Sequence, residues 1–127
     1  MTEKLLHKEL LYRLVGAAMD VHKILGPGFL EGTYQKAYEK ELGIQKITFI
    51  SQKRIKIFYK GIDLGFQVLD LIVDNKIIIE IKAVSEILPI HQAQLISYLK
   101  ATEYELGILI NFGAKSLQYK RLVFTKN

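Results

Sequence analysis

The chain has 127 residues, half of them hydrophobic and 24% charged, with no cysteine and a net charge of +5. That composition predicts a single domain over residues 1–127 with a real core, and it excludes a disordered tail, a disulfide scaffold and any thiolate metal site. The first residues, MTEKLLHKELLYRLV, scatter charge through the apolar positions, and no run of about 18 apolar residues occurs, so neither a secretory leader nor a membrane span is expected and the cytoplasm is the simplest location.

Helical spacing opens the chain. Leu11, Leu14, Val15, Ala18, Val21 and Leu25 recur at intervals of three and four and predict a helix over 8–25, ended by Gly26-Pro27-Gly28. Leu30, Tyr34, Ala37, Tyr38 and Leu42 predict a second helix over 29–42, with Gly43 as its stop. The period then changes to two across Arg54-Ile55-Lys56-Ile57-Phe58-Tyr59, a half-buried strand followed by a Lys60-Gly61 turn. Phe66–Val73 and Ile77–Ala83 read as two further strands joined by Asp74-Asn75-Lys76. Pro89 suits the first turn of a third helix reaching about Thr102. Leu106–Phe112 is a continuous apolar run, as in a strand covered on both faces, and Tyr119–Phe124 forms a last strand. The order α-α-β-β-β-α-β-β predicts an α/β fold, a mixed sheet with helices on its faces.

The informative residues are charges set inside apolar strands. Asp70 lies among Val68, Leu69, Leu71 and Ile72, and Glu80 and Lys82 lie among four isoleucines. An ionised group buried without a partner is costly, so each needs one. Side chains alternate along a strand, which puts Glu80 and Lys82 on the same face. Asp70 joins them only if the hairpin pairs it with Glu80. A two-residue Asp74-Asn75 loop would pair it with Ile79; a three-residue loop, with asparagine in the left-handed region, pairs Val73 with Ile77 and Asp70 with Glu80. Two adjacent carboxylates repel unless a cation lies between them, and an all-oxygen pocket suits Mg²⁺ or Mn²⁺. The bland reading is an ion network with Lys82, or strand ends that reach solvent; the spacing Asp-x9-Glu-x-Lys on a hairpin favours a functional cluster.

Asp70 followed by Glu80-Ile81-Lys82 resembles the D…(D/E)xK signature of the PD-(D/E)XK nuclease superfamily. Gly28-Phe29-Leu30-Glu31-Gly32-Thr33-Tyr34 is similar to the motif that names the small GxxExxY proteins of that superfamily. So are the preceding Val21–Gly28, Tyr59-Lys60-Gly61, His91–Leu95 and Leu106–Gly113; together the likeness runs from about Leu14 to Phe124. The resemblance implies a central mixed sheet, four-stranded or slightly larger, flanked by helices. It implies an Mg²⁺- or Mn²⁺-dependent nuclease on nucleic acid, DNA ahead of RNA. In that reading Asp70 and Glu80 bind the metal with the main-chain carbonyl of Ile81, and Lys82 is the catalytic lysine. Glu31 matches the glutamate that completes such sites, and Gln94 and Tyr98 match a QxxxY pattern that contacts substrate.

Each supporting residue also has a plainer reading. Glu31 suits the dipole of a helix start, and Tyr98 suits packing against a sheet. His22 and His91 read as structural rather than as ligands. Lys53, Arg54, Lys56 and Lys60, and the later Lys115, Lys120, Arg121 and Lys126, suit a phosphate backbone or equally a lysine-protected strand edge. A non-catalytic nucleic-acid-binding module, or a protein-interaction module that is homo-oligomeric or serves another partner, are the competing functions.

Overall fold

The computed structural model describes residues 7–126. Two helices, α1 (Lys8–Leu25) and α2 (Glu31–Ile44), precede β1 (Phe49–Tyr59), β2 (Ile62–Val73) and β3 (Ile77–Lys82); α3 (Pro89–Ala101) then leads to β4 (Leu106–Asn111) and β5 (Gln118–Val123). The strands form one five-stranded sheet in the order β1-β2-β3-β4-β5. Only β3 and β4 pair parallel, which requires the crossover that α3 supplies; every other pair is antiparallel. The α/β class and helix-flanked mixed sheet match the expectation, at the larger of the expected sheet sizes.

Two apolar layers hold the helices to the sheet. Leu14, Ala18 and Val21 of α1 and Tyr34, Tyr38 and Leu42 of α2 bury against Leu71, Ile79, Ile81, Ile108 and Ile110 on one face. Leu95, Tyr98 and Leu99 of α3 bury against Leu69, Ile72, Ile78 and Leu109 on the other. β3 and β4 are thus covered on both sides, which explains why Ile77–Ile79 and Leu106–Ile110 are apolar at successive positions rather than alternating. No helix among the described residues is long and apolar enough to cross a membrane.

Several boundaries differ from those expected. α2 begins at Glu31 rather than Phe29, because the Phe29 amide donates to the Tyr34 hydroxyl, 3.1 Å away, and stays outside the helix. Gly43 does not stop it. The left-handed residue is Lys46 (φ 58°), and the Ile47 amide bonds back to the Leu42 carbonyl at 2.9 Å while Ile47 buries, a C-terminal closure that an apolar contact drives. β1 starts five residues before Arg54 and β2 four before Phe66. Burial periodicity is a poor guide there, since most of this hairpin is exposed and its ladder holds it together. Gly65 (φ 105°) takes a bulge where the register shifts, and its amide bonds Asp63 Oδ1 at 2.8 Å.

The ends of β3 and β4 meet closely. Asn111 is fully buried; its Oδ1 accepts the Val84 and Gly113 amides, and its Nδ2 donates to the Val84 carbonyl and Gln118 Oε1. A Cβ on Gly113 would lie within 2.4–2.5 Å of the Ala83 and Val84 backbone. Gly113→Ala is therefore expected to lower thermal stability sharply, by about 3 kcal/mol or more, because backbone rather than a flexible side chain must give way; a melting temperature within a degree of wild type would show that the segment after β3 yields easily.

Candidate active site

The hairpin between β2 and β3 sets the geometry. Asp74 and Asn75 both adopt left-handed φ, 51° and 52°, and the Lys76 amide closes onto the Val73 carbonyl at 2.9 Å. The loop has three residues, and Val73, Ile72 and Leu71 pair with Ile77, Ile78 and Ile79. This is the odd-length register expected; Asp74 joins asparagine in the left-handed region because a short polar side chain tolerates it. The next pair in that register is Asp70 with Glu80.

There the backbone ladder gives way to side chains. Glu80 Oε2 accepts the Asp70 amide at 2.8 Å, and Asp70 Oδ2 accepts the Ile81 amide at 2.7 Å. The carboxylates wedge between the strands where they part, each occupying one oxygen with an amide. Among the described residues no protein donor is recorded to Asp70 Oδ1 or Glu80 Oε1.

Charge is concentrated at this point. Glu80 is only 4% exposed. Burial, then the Asp70 charge, push its carboxyl up to about 8, against the pull of the Asp70 amide and Lys82. Asp70 is also raised, by burial first and by Glu31, while the Ile81 amide and Lys82 oppose. Glu31 stands exposed at the first residue of α2, near enough for its charge to raise both. Lys82 Nζ donates to Gln94 Oε1 at 3.0 Å. Tyr98, one turn along α3, has its phenol raised by burial, Glu80 and Asp70. The fold thus brings Glu31, Asp70, Glu80, Lys82, Gln94 and Tyr98 to one locality from α2, β2, β3 and α3. Among the described residues no three His, Cys, Asp or Glu side chains converge into a preformed metal cluster, so Glu31 stands outside the close Asp70–Glu80 pair.

The tyrosine of the Gly28-x-x-Glu31-x-x-Tyr34 segment has a structural task. Its hydroxyl donates to the Gly26 carbonyl at 2.5 Å and accepts the Phe29 amide, and its ring stacks on Phe112 with centroids 4.9 Å apart. Gly28 (φ 121°) makes the bend that lets the loop close. The loop delivers Glu31 at the helix start. Tyr34→Phe is expected to cost about 1–2 kcal/mol by leaving two partly buried backbone groups without their partner, read as a drop in the denaturation midpoint; an unchanged midpoint would mean water replaces the hydroxyl.

Other residues were not singled out from the sequence. Gln35 Nε2 donates to the Asp70 carbonyl at 3.0 Å and to Glu39 Oε2 at 2.9 Å, and Ser51 Oγ also donates to Glu39 Oε2, at 2.7 Å. This network braces β2 beside Asp70. Gln35 and Glu39 are four apart on α2 and read in sequence as an ordinary solvated helix face. His22 and His91 are structural, as expected: His22 Nε2 meets the Ala114 carbonyl at 2.9 Å, and His91 Nδ1 accepts the Leu88 amide at the start of α3. Lys126 is tied to the fold through the Leu99 carbonyl, 2.6 Å from its Nζ. An apolar groove of about 470 Å³ between α1 and β5, lined by Leu11, Tyr12, Met19 and Ile108, contains none of the site residues.

The donor set fits a hard divalent cation. Mg²⁺ is characteristically held by one or two carboxylates with water completing its shell, and Asp70 and Glu80 each keep an oxygen that no group among the described residues claims. A cation beside them would also favour the charged forms that burial, first of all, now disfavours in both carboxyls, and would offset the Asp70 charge that adds to it at Glu80.

No curated protein and no solved structure matches the chain. A family model described as the PD-(D/E)XK nuclease superfamily matches residues 8–122, nearly the whole length and every element from α1 to β5. With that match over a helix-flanked mixed sheet whose second and third strands carry Asp70, Glu80 and Lys82, the chain belongs to the PD-(D/E)XK nuclease superfamily.

Proposed function

We propose that this protein is a metal-dependent nuclease that hydrolyses phosphodiester bonds, in DNA ahead of RNA, at the point where β2 and β3 part. The observation that carries the reading is the reciprocal pair in which Asp70 and Glu80 each hold an amide of the opposing strand with one oxygen, leaving a second oxygen with no protein donor among the described residues. Asp70, Glu80 and the main-chain carbonyl of Ile81 would hold Mg²⁺ or Mn²⁺, with Glu31 contributing charge from α2. When bound, the ion supplies Lewis-acid polarisation of a phosphoryl oxygen and a water of lowered pKa.

The chain's own residues do the rest. Lys82 places a positive charge beside the carboxylates, where it orients the attacking water and offsets charge developing on phosphorus. Gln94 accepts from the Lys82 ammonium and fixes its direction; the same amide, with the Tyr98 hydroxyl, faces an incoming phosphate or base. The Gly28, Glu31 and Tyr34 pattern supports placement within the GxxExxY group, and a single catalytic unit over 1–127 in the cytoplasm is the simplest organisation.

The test is incubation of purified protein with single- and double-stranded DNA and RNA in Mg²⁺, Mn²⁺ or EDTA. Cleavage with a divalent cation and none in EDTA is expected. Cleavage of nothing under any condition, together with salt-sensitive binding, would transfer the assignment to a non-catalytic nucleic-acid-binding module, a reading supported by the basic and aromatic β1–β2 hairpin independently of the carboxylates.

A further inference from the structure

The β1–β2 hairpin outruns the rest of the sheet. β3, β4 and β5 have six residues each, whereas β1 and β2 have eleven and twelve. Beyond Ile55, which packs against the α3-side core, the apolar residues turn outward: Phe58 is 60% exposed and Phe66 50%, and Tyr59, Ile62 and Leu64 are exposed as well. Cross-strand partners share a face and neighbours alternate, so Arg54, Lys56, Phe66 and Val68 lie on the face opposite Ile55.

Cations interleave with these rings. Residues 53–68 carry four cations, Lys53, Arg54, Lys56 and Lys60, against one carboxylate, Asp63, a surplus of three out of the chain's five. Asp63 pairs with Lys56 at 3.2 Å. The Arg54 guanidinium sits 4.4 Å from the Phe66 centroid, and Lys60 Nζ 5.4 Å from that of Tyr59. Exposed rings interleaved mainly with lysines are the wrong composition for the centre of a protein interface, where lysine is depleted even though arginine and aromatic rings are enriched. It is the right one for a strand that offers phosphates and unstacked bases together.

We propose that the β1–β2 hairpin is an arm that holds single-stranded nucleic acid, with Phe58 and Phe66 as stacking platforms and Arg54, Lys56 and Lys60 as phosphate contacts. The proposal deepens the nuclease reading and rests on it for the identity of the polyanion. β2 runs without interruption from Phe66 through Val68 to Asp70, so the arm begins roughly 7–13 Å along the strand from Asp70, two to four residues of strand rise. Bases inside a duplex already stack on one another and cannot use these rings, so the arm selects single strands, overhangs or frayed ends.

The experiment is fluorescence anisotropy in EDTA with a labelled mixed-sequence single strand and a hairpin duplex. It compares wild type with Phe58→Ala/Phe66→Ala and with Lys56→Gln/Lys60→Gln, all checked by thermal melting. The aromatic pair is expected to weaken single-strand binding at least about fivefold with little change in salt dependence. The lysine pair is expected to flatten the slope of log affinity against log salt by about 1.4, two phosphates' worth for a single strand; it decides the matter if the aromatic pair unfolds. Unchanged single-strand affinity and slope in folded variants overturns the arm. Equal losses for duplex and single strand overturn the single-strand assignment. A wild-type dimer that the aromatic pair converts to monomer, with binding intact, makes the hairpin a subunit interface instead and overturns the proposal. Cleavage scored in parallel with Mn²⁺ separates the two readings: loss of binding in the variants without any wild-type cleavage leaves the arm and removes the nuclease, while cleavage with binding unchanged in the variants removes only the arm.

Discussion

Lys82→Ala is expected to lose cleavage by about two to three orders of magnitude while keeping the fold and most nucleic-acid affinity. Removing one preorganised charge at a site of developing negative charge has that scale of effect on rate and little on ground-state binding. Lys82 is only half-buried at the end of β3, so the melting temperature of the variant is expected to stay close to that of wild type. Asp70→Ala differs in kind: it removes the partner of the Ile81 amide as well as a proposed cation ligand, and is expected to lose metal binding and cleavage together. Gln94→Ala frees the Lys82 ammonium and lowers the rate more mildly. All three are compared as purified proteins, because a contaminating nuclease mimics weak activity. Cleavage unchanged in Lys82→Ala assigns the activity to a contaminant or to another site.

The second large effect is on stability against pH in the absence of metal. Glu80 holds its proton to about 8 in the fold, against an ordinary value of 4.5. The folded state therefore binds more protons than the unfolded chain between these values. The resulting stability is fully present below about pH 4.5 and is lost as pH rises through about 8; Asp70, also raised, acts in the same direction. In EDTA the protein should lose on the order of 3–5 kcal/mol from this source across that window. Glu80→Gln keeps an oxygen for the Asp70 amide but cannot ionise, so it should melt higher than wild type at pH 8 and show a shallower slope. Millimolar Mn²⁺ should restore the wild type at pH 8 and do less at pH 5, because the cation competes with protons for the same oxygens. A wild-type melting temperature in EDTA that is flat from pH 5 to 8.5 would remove the charge conflict on which the cation argument depends.

Much of this was legible because the hairpin can be counted. Asp74-Asn75-Lys76 between two apolar strands admits few registers, and only the odd one places Asp70 beside Glu80. The covered strands β3 and β4 were equally plain, since burial on both faces favours apolar residues at successive positions, as in Ile77–Ile79 and Leu106–Ile110. The outer hairpin was less so: its strands extend to Phe49 and Ile62 on exposed residues whose order comes from the ladder, and such a ladder leaves no burial period to read. The start of α2 was misplaced because Phe29 and Leu30 are apolar yet lie in the loop that Tyr34 closes. Asn111 carried the same signal that marked Glu80, a polar residue within an apolar strand, and its role in pinning Val84 and Gly113 was there to be suspected. Gln35 and Glu39 carried none, because a polar pair four apart on a helix usually faces only water.

The reciprocal amide bonds explain why two carboxylates can sit together at a strand junction. Each satisfies an opposing backbone N–H that the ladder no longer serves, so the junction is held partly by the groups proposed to bind the ion. That double use ties metal affinity to the integrity of β2 and β3, with Gln35 bracing the same strand through the Asp70 carbonyl.

The most direct measurement of the central claim is a calorimetric titration of Mn²⁺ into wild type and into Asp70→Asn at pH 8, with both proteins shown to be folded. The account predicts saturable binding by the wild type, accompanied by proton release, and its loss in Asp70→Asn. Equal binding by both proteins, or none by the wild type at millimolar Mn²⁺, would contradict it.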